Sequence, residues 1–191
     1  MGNSQEYYFK NSSEFQVWLH ENHTQTEGIY LIFYKIDHEN ESMRWEEAVR
    51  VALCYGWIDS TVKSLGDGKR RQYFCQRKAK SVWSKLNKEH IKDLKAKKLM
   101  HKSGLATIKI AKENGSWTAL DDVENGVIPK ELQNAFDKNP VAFSNYNNFS
   151  RSQQKSYLYW LNQAKREATK EKRITEIIRL CSENIKSRDT W

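Results

Sequence analysis

The chain has 191 residues, of which 32 are Lys or Arg and 24 are Asp or Glu, and its formal net charge is +8. Seven tryptophans, nine tyrosines and seven phenylalanines, with a mean hydropathy of −0.86, exclude a largely disordered chain and favour an aromatic core below a charged surface. No run of residues approaches the ~18 apolar residues of a membrane helix, and the first residues do not resemble a secretory signal. We therefore expect a cytoplasmic protein.

The positive charge is concentrated in one part of the chain. Half of the lysines and arginines lie between residues 61 and 112, together with only three of the acidic residues. We call residues 61–112 the basic block. Such a concentration favours an anionic partner, namely nucleic acid, a phosphate ligand or an acidic protein. The alternative is a solvated, lysine-rich surface without a partner.

The first quarter of the chain predicts a helix, a strand and a second helix. The stretch SSEFQVWLHEN places Phe15, Trp18 and Leu19 on one helical face, and GIYLIFYK is the aromatic and β-branched composition of a strand. Apolar residues recur at helical spacing in MRWEEAVRVALCYG. This helix is expected to end at Gly56, because glycine commonly occupies the left-handed position after a helix.

A β-hairpin is predicted next. WIDSTVKSL and RRQYFCQ have strand composition, and the glycines of GDG at 66–68 suit the turn between them. Antiparallel pairing across this turn would place residues near Asp59 opposite residues near Cys75. A partly buried Asp59 needs a hydrogen-bond donor, and we expect a cation or hydroxyl from the segment 77–84 to supply it.

The segment after the hairpin combines cations and hydroxyls before a helix that we expect to start near Asn87. Such a segment can bind an anion, because the free N–H groups of the helix start act together with the side chains. The alternative is that Ser84 or Asn87 merely caps the helix. The candidate ligand-binding residues are Asp59, Arg77, Lys80, Ser81, Trp83 and Ser84.

Four lysines recur at helical spacing along this helix and share one face. Such a stripe follows phosphates without reading base sequence, but it also keeps an ordinary surface helix soluble. Its candidate nucleic-acid or anion-binding residues are Lys85, Lys88, Lys92 and Lys95. Proteins that bind single strands usually place aromatic residues between their cations, and this helical face has none.

The remainder of the chain predicts helices. SGLATIKIAKENGSW reads as one helix, and the acidic loop TALDDVENGVIP is interpreted as a solvated linker with a domain boundary near residue 126. Helical periodicity then continues through YLYWLNQAKREATKEKRITEIIRLC. The sequence therefore predicts an α+β protein that is predominantly helical, with a small antiparallel sheet in residues 1–126 and a helical module in residues 127–191 packed on it.

Four stretches resemble successive parts of the YdeI/OmpD-associated family, also called bacteriocin-protection proteins. They are ALCYGWIDS, QRKAKSVWSKLNKEHI, SGLATIKIAKENGSW and YWLNQAKREATKEKRI, and the resemblance runs from about Phe15 to Leu180. It implies an α+β N-terminal part followed by a C-terminal helical module. It also implies a role in tolerance of bacteriocins or antimicrobial peptides and an association with envelope proteins.

Catalytic and metal sites have little support in the sequence. Cys54 lies in an apolar helix and is expected to be a buried thiol. Cys75 and Cys181 form no CxxC pair with it or with each other and are expected to be buried or half-buried thiols. His20 and His23 have helical metal-ligand spacing, but no third ligand is identifiable. We expect no metal and no cofactor.

These observations predict a non-catalytic binding or stress-protection protein that engages an anionic ligand or a protein partner through the basic block. The alternatives are a sequence-nonspecific nucleic-acid-binding protein and an enzyme acting on a small anionic metabolite. The sequence does not decide the oligomeric state.

Overall fold

A computed structural model describes residues 5–188. Within this range the elements in chain order are β1 Glu6–Tyr8, α1 Ser12–Asn22, β2 Gly28–Tyr34, α2 Trp45–Cys54, β3 Trp57–Gly66, β4 Lys69–Gln76, α3 Lys85–Ala96, α4 Lys102–Glu113, α5 Asp121–Asn125, α6 Lys130–Asp137, α7 Pro140–Asn148, α8 Arg151–Asn162 and α9 Glu167–Ser182. The predicted α+β class is confirmed. No helix in the described part of the chain has the length and apolar character needed to cross a membrane.

The chain divides after Thr118 into two compact units. Unit 1 contains a four-stranded sheet in the order β1-β2-β4-β3 together with helices α1 to α4, and unit 2 contains helices α5 to α9. The predicted antiparallel sheet is wrong in one respect, because β1 pairs with β2 in parallel. A strand of three residues is too short for its sequence pattern to predict whether it pairs in parallel or antiparallel. The direction of β1 is set by its pairing with the free edge of β2 in the folded sheet.

The hydrophobic core of unit 1 lies between the helices and one face of the sheet. Alternate residues of β2 and β4 point into it, including Leu31, Phe33 and Phe74, and the helices contribute residues such as Leu19 and Ile91. Trp57 and Trp83 are both fully buried in this core. Successive side chains of a strand point to opposite faces of the sheet, so the chain neighbours of Leu31, Phe33 and Phe74 lie on the face away from the core.

The hairpin of β3 and β4 has the expected register. Ile58 lies opposite Cys75 and Asp59 lies opposite Phe74, which confirms the predicted pairing of residues near 59 with residues near 75. The turn is made by Gly66, Asp67 and Gly68, all with positive φ. Positive φ is readily adopted by glycine, so the GDG sequence suits a turn of this conformation.

Unit 2 is built from five helices around its own core, which includes Phe136, Tyr157 and Ile177. The interpretation of the acidic loop as a solvated linker is wrong for residues 121–125, because they form α5 and bury Val123 in the core of unit 2. Three acidic residues in the first turn of α5 suit the positive end of a helix, so the acidic composition does not require an unstructured segment.

Candidate functional site

Asp59 is held by neutral donors at the start of β3. Its carboxylate oxygen Oδ2 accepts a hydrogen bond from the indole N–H of Trp45 at 2.9 Å and from the side-chain amide of Gln72 at 2.6 Å. Gln72 is buried, whereas Asp59 is partly exposed. The carboxylate therefore has two partners inside unit 1, one from the start of α2 and one from the adjacent strand.

The expected contact between Asp59 and the segment 77–84 is corrected by this arrangement. In the described residues Asp59 makes no hydrogen bond or ion pair with Arg77, Lys80, Ser81 or Ser84. Asp59 acts on Arg77 only through space, where its charge opposes part of the effect of burial on the pKa of Arg77. Two uncharged donors already occupy the carboxylate, so a cation is not needed to satisfy it.

Arg77 is the buried cation of this region. Its backbone N–H donates to the carbonyl of Gly56 at 3.0 Å, which places the residue beside the start of β3. The side chain is 8% exposed, and its guanidinium carbon lies 3.7 Å from the ring centre of Trp83. Burial lowers the pKa of Arg77 to about 10, so the guanidinium remains charged at neutral pH. Stacking on an aromatic ring stabilises a cation that has lost its water.

Three buried donors in this pair lack an acceptor. Arg77 donates from Nη1 to the carbonyl of Val82 at 3.0 Å, but its Nε and Nη2 have no partner. The indole Nε1 of Trp83, which is fully buried, also has none. Each unsatisfied buried donor costs about 1–3 kcal/mol, so three in adjacent side chains are unusual. They constitute the strongest indication of a binding site among the described residues of the basic block.

Both side chains line a small cavity of about 60 Å3, which we call the Arg77–Trp83 cavity. Lys78 and Ala79 from the loop and Thr107 from α4 complete much of its lining. The loop is attached to the end of α4, because the carbonyl of Ala79 accepts hydrogen bonds from the side chains of Asn114 and Ser116. The cavity thus lies between this loop and α4, to which the loop is hydrogen-bonded.

Two further cations contact a second tryptophan that packs on Trp83. The ring of Trp117 packs against that of Trp83 with centroids 4.9 Å apart, and the ammonium groups of Lys88 and Lys112 lie 5.4 and 5.6 Å from the centre of the Trp117 ring. Lys88 belongs to the predicted lysine stripe. The cations that line the cavity itself are Arg77 and Lys78, and their charge favours an anion there.

The other candidate residues have different positions. Ser84 caps α3, because its hydroxyl accepts from the backbone N–H of Asn87 at 3.2 Å, and the helix begins at Lys85. The alternative that Ser84 caps the helix is thereby confirmed. Lys80 is exposed, and Ser81 donates its backbone N–H to the carbonyl of Lys78 in a turn. None of these three residues is among those that line the cavity.

The lysine stripe lies on α3 as its spacing predicts. Lys85, Lys92 and Lys95 are exposed, and Lys88 is partly buried beside Trp117. This helix also carries Asp93, which bonds to Arg50 of α2 and to Lys97. The helical geometry of the stripe is confirmed, and its role in binding nucleic acid stays a prediction.

A histidine cluster went unrecognised in the sequence. The ring of His101, the N-cap residue of α4, lies 4.9 Å from that of His23 and 6.1 Å from that of His20, and it stacks on Tyr55 at 5.0 Å. Burial, and then the nearby His23 and His20, lower the pKa of His101. Helix packing brings these distant segments together, and no local pattern indicates it. Within residues 5–188 neither this cluster nor any other group of three His, Cys, Asp or Glu side chains has an arrangement that could hold a metal ion.

The cysteines have the properties that the sequence predicts. All three thiols are free, Cys54 and Cys181 are buried, and Cys75 is partly buried. Burial raises the pKa of Cys54 to about 11 and that of Cys181 to about 12. The thiolate is the nucleophilic form of cysteine, so these two residues are unsuited to nucleophilic catalysis at neutral pH.

Comparison with known families divides the chain in two. Residues 7–107 match the family described as Domain of unknown function (DUF8412). The chain belongs to this family. Residues 125–184 match a second family, described as Bacteriocin-protection, YdeI or OmpD-Associated, which confirms the predicted resemblance for that part of the chain. No curated protein and no solved structure matches the chain.

The two family matches fall on different parts of the molecule. The DUF8412 match contains Arg77, Trp83 and Thr107 of the cavity, and the bacteriocin-protection match lies within unit 2. The first three stretches quoted for the resemblance lie within or beside the DUF8412 match. Unit 2 is therefore similar to the YdeI/OmpD-associated family over residues 125–184, and the chemistry of the cavity has to be argued from its geometry.

Proposed function

We propose that this protein is a non-catalytic binding protein that holds the anionic group of a ligand in the Arg77–Trp83 cavity. The observation that supports this function is the set of three buried N–H donors without acceptors. A carboxylate or phosphate group supplies several acceptor oxygens at once, and its charge balances that of the guanidinium. An arginine fork is well suited to binding such groups in a bidentate manner.

The absence of a competing internal anion supports the proposal. Among the described residues no carboxylate forms a hydrogen bond or ion pair with Arg77, and Asp59 is already bound by Trp45 and Gln72. A buried charge without a bonded counter-ion is costly, and an external anion removes this cost. The binding energy of the ligand therefore includes relief of an unfavourable interaction in the free protein.

The size and lining of the cavity favour binding over catalysis. A space of about 60 Å3 accepts the charged end of a ligand but not a whole metabolite of ordinary size, since small-molecule sites usually occupy about 300–1,000 Å3. The lining residues offer cations, a hydroxyl and apolar contacts, and among the described residues that line the cavity there is no carboxylate, imidazole or thiol. The cavity thus provides neither a carboxylate or imidazole as general base nor a thiol as nucleophile.

The bacteriocin-protection domain supplies a biological context for this binding. We propose that the anionic ligand, either a small molecule or the charged group of a partner, takes part in protection against bacteriocins or related stress. Residues 125–184 support this role through their family match, and the cavity of unit 1 provides the binding chemistry. The proposal makes the cavity the first place to test by mutation.

A thermal-shift titration with inorganic phosphate and with acetate tests the binding site. Both anions are expected to raise the melting temperature of the wild type in a saturable manner, with sodium chloride of equal ionic strength as the reference. Arg77→Met removes the charge and the donors while it keeps much of the side-chain volume, so the shift should disappear. Trp83→Phe keeps an aromatic ring below the guanidinium and should weaken binding by roughly fivefold, the value of one hydrogen bond.

Arg70→Met is the matched control. Arg70 lies on β4, the strand that ends just before Arg77, and it is exposed and is not among the residues that line the cavity. It should bind both anions as the wild type does. The proposal is overturned if neither anion shifts the wild type, or if Arg77→Met and Arg70→Met respond to the anions equally.

A further inference from the structure

The sheet of unit 1 has a second face, whose residues lie outside the core cluster that the helices cover. The helices pack on the face formed by Leu31, Phe33 and Phe74. The cross-strand register places other residues on the opposite side, which we call the outer face. It includes Glu6 and Tyr8 of β1, Tyr30, Ile32 and Tyr34 of β2, Lys69, Arg71 and Tyr73 of β4, and Lys63 of β3.

The composition of the outer face is aromatic and cationic. Four of its residues are tyrosines and three are Lys or Arg, whereas Glu6 is its single carboxylate. None of these residues belongs to either hydrophobic core cluster or packs against one. Tyr8 is 46% exposed and Lys63 is exposed, and the remaining tyrosines are partly exposed, whereas Ile32 is buried. A sheet face that had only to be soluble would not need four aromatic rings.

Rings and cations occupy adjacent rows of the outer face. Tyr30 pairs directly with Tyr73, and their ring centres are 5.0 Å apart. The next row places Ile32 opposite Arg71, and Arg71 lies opposite Lys63 on the edge strand. Neighbouring strands are about 4.8 Å apart and alternate residues of one strand about 7 Å apart, so this grid spans several nucleotides.

We infer that the outer face binds single-stranded nucleic acid. Tyrosine rings stack on bases regardless of sequence, and interleaved cations contact the phosphates. This combination is what the lysine stripe of α3 lacks. A duplex hides the faces of its bases inside the stack, so the tyrosines favour a single strand over a duplex of equal charge.

Glu6 acts as an internal competitor for the phosphate. Its carboxylate accepts a hydrogen bond from Nη1 of Arg71 at 2.6 Å, and the same guanidinium lies 4.5 Å from the ring centre of Tyr30. A bound phosphate takes the place of this carboxylate on Arg71. Removal of the negative charge should therefore tighten binding, which a general loss of folding does not produce. The ion pair is partly exposed, so its removal has little effect on stability.

Fluorescence anisotropy at low salt tests this surface. The probes are labelled oligothymidylate and oligouridylate of about 15 nucleotides, near the upper site size of a single binding fold, a DNA duplex of equal length and a polyglutamate peptide. Both single strands are expected to bind more tightly than the duplex, and the peptide should bind weakly. Glu6→Gln should increase the affinity for the single strands.

Two further substitutions separate stacking from charge. Tyr73→Leu removes a ring and keeps an apolar residue, and it should reduce single-strand affinity by roughly fivefold or more. Lys63→Gln should lower the slope of log affinity against log salt by about 0.7, the value for one phosphate contact on a single strand. Lys92→Gln on α3 and Arg77→Met are the matched controls and should bind as the wild type does.

Several results would overturn the inference. They are the absence of single-strand binding by micromolar protein at low salt, equal or tighter binding of the duplex or of polyglutamate, and an unchanged affinity in Tyr73→Leu. A larger loss of single-strand affinity in Lys92→Gln than in Lys63→Gln would indicate that the nucleic acid binds to α3 instead of the outer face. The outer face and the anion cavity are tested with different substitutions and different probes. The nucleic-acid inference can therefore fail while the proposed anion site is retained, and the anion site can fail while the nucleic-acid inference is retained.

Discussion

The close approach of α4 to the end of α2 makes Gly104 the most sharply defined position for a stability test. A β-carbon added at this residue would lie 2.2 Å from the carbonyl oxygen of Cys54 and 2.8 Å from that of Leu53. Carbon and oxygen ordinarily approach to about 3.3–3.6 Å, so α4 would have to move by about 1 Å. The obstacle is backbone, which cannot rotate aside as a flexible side chain can.

Gly104→Ala is expected to be destabilising despite the better helix propensity of alanine. Overpacking of a core costs about 1–3 kcal/mol. The displacement also weakens two hydrogen bonds between these segments, from His101 N to Cys54 O at 3.1 Å and from Ser103 Oγ to Tyr55 O at 3.0 Å. Each contributes about 1 kcal/mol. Alanine returns about 1 kcal/mol through helix propensity. The net loss is about 2–4 kcal/mol.

Urea denaturation followed by tryptophan fluorescence measures this change, because Trp57 and Trp83 are buried in unit 1. The exposed residue Ala106 of the same helix provides the calibration, since Ala106→Gly reports helix propensity without a packing change and should cost about 1 kcal/mol. The reasoning fails if Gly104→Ala is neutral or stabilising. In that case the two helices are farther apart than the structure places them.

Two other residues offer tests of the local chemistry. Asp59→Ala should destabilise unit 1 by about 2–4 kcal/mol, because it leaves the indole N–H of Trp45 and the buried amide of Gln72 without an acceptor. Asp59→Asn keeps an acceptor oxygen and should cost less than half as much in the same denaturation assay. Equal losses of stability in the two variants would contradict this account. Burial and the neighbouring His23 and His20 hold the pKa of His101 below its ordinary 6.5 in the folded protein. At acidic pH the unfolded chain therefore binds more protons at His101 than the folded chain does. The free energy of unfolding should accordingly fall as the pH decreases below about 6.5. His101→Asn keeps a capping side chain and should reduce that dependence between about pH 7 and pH 5, and a pH profile identical to the wild type would exclude the contribution of His101.

The sequence determined the local elements of this protein. Helical periodicity predicts α3, α8 and α9, because each amphipathic helix must bury one face and its apolar residues therefore recur every three to four positions. The register of the hairpin could also be predicted, since the GDG turn at 66–68 limits the pairing of two strands of similar length. The concentration of charge in residues 61–112 is likewise a property of composition, and it pointed to the segment that contains Arg77.

The tertiary structure decided which of these charged and polar residues meet. Asp59 is adjacent to the predicted segment in the hairpin, yet its donors are Trp45, which α2 brings over the sheet, and Gln72 of the adjacent strand. His101 lies about 80 residues from His23 in the chain, and only the docking of α4 beside α1 brings their rings together. Such contacts depend on the positions of whole helices on the sheet, which many side chains determine jointly.

The same distinction applies to both proposed binding surfaces. The sequence identifies Arg77 and Trp83 as candidates, but only the packing around them shows that their donors are buried without acceptors. The tyrosines of β1, β2 and β4 look like ordinary core aromatics in the sequence. The register of three strands places them together on the face that the helices leave free. Local patterns determine the type of each element, because they act within a few residues, whereas burial and exposure are properties of the assembled sheet and helices.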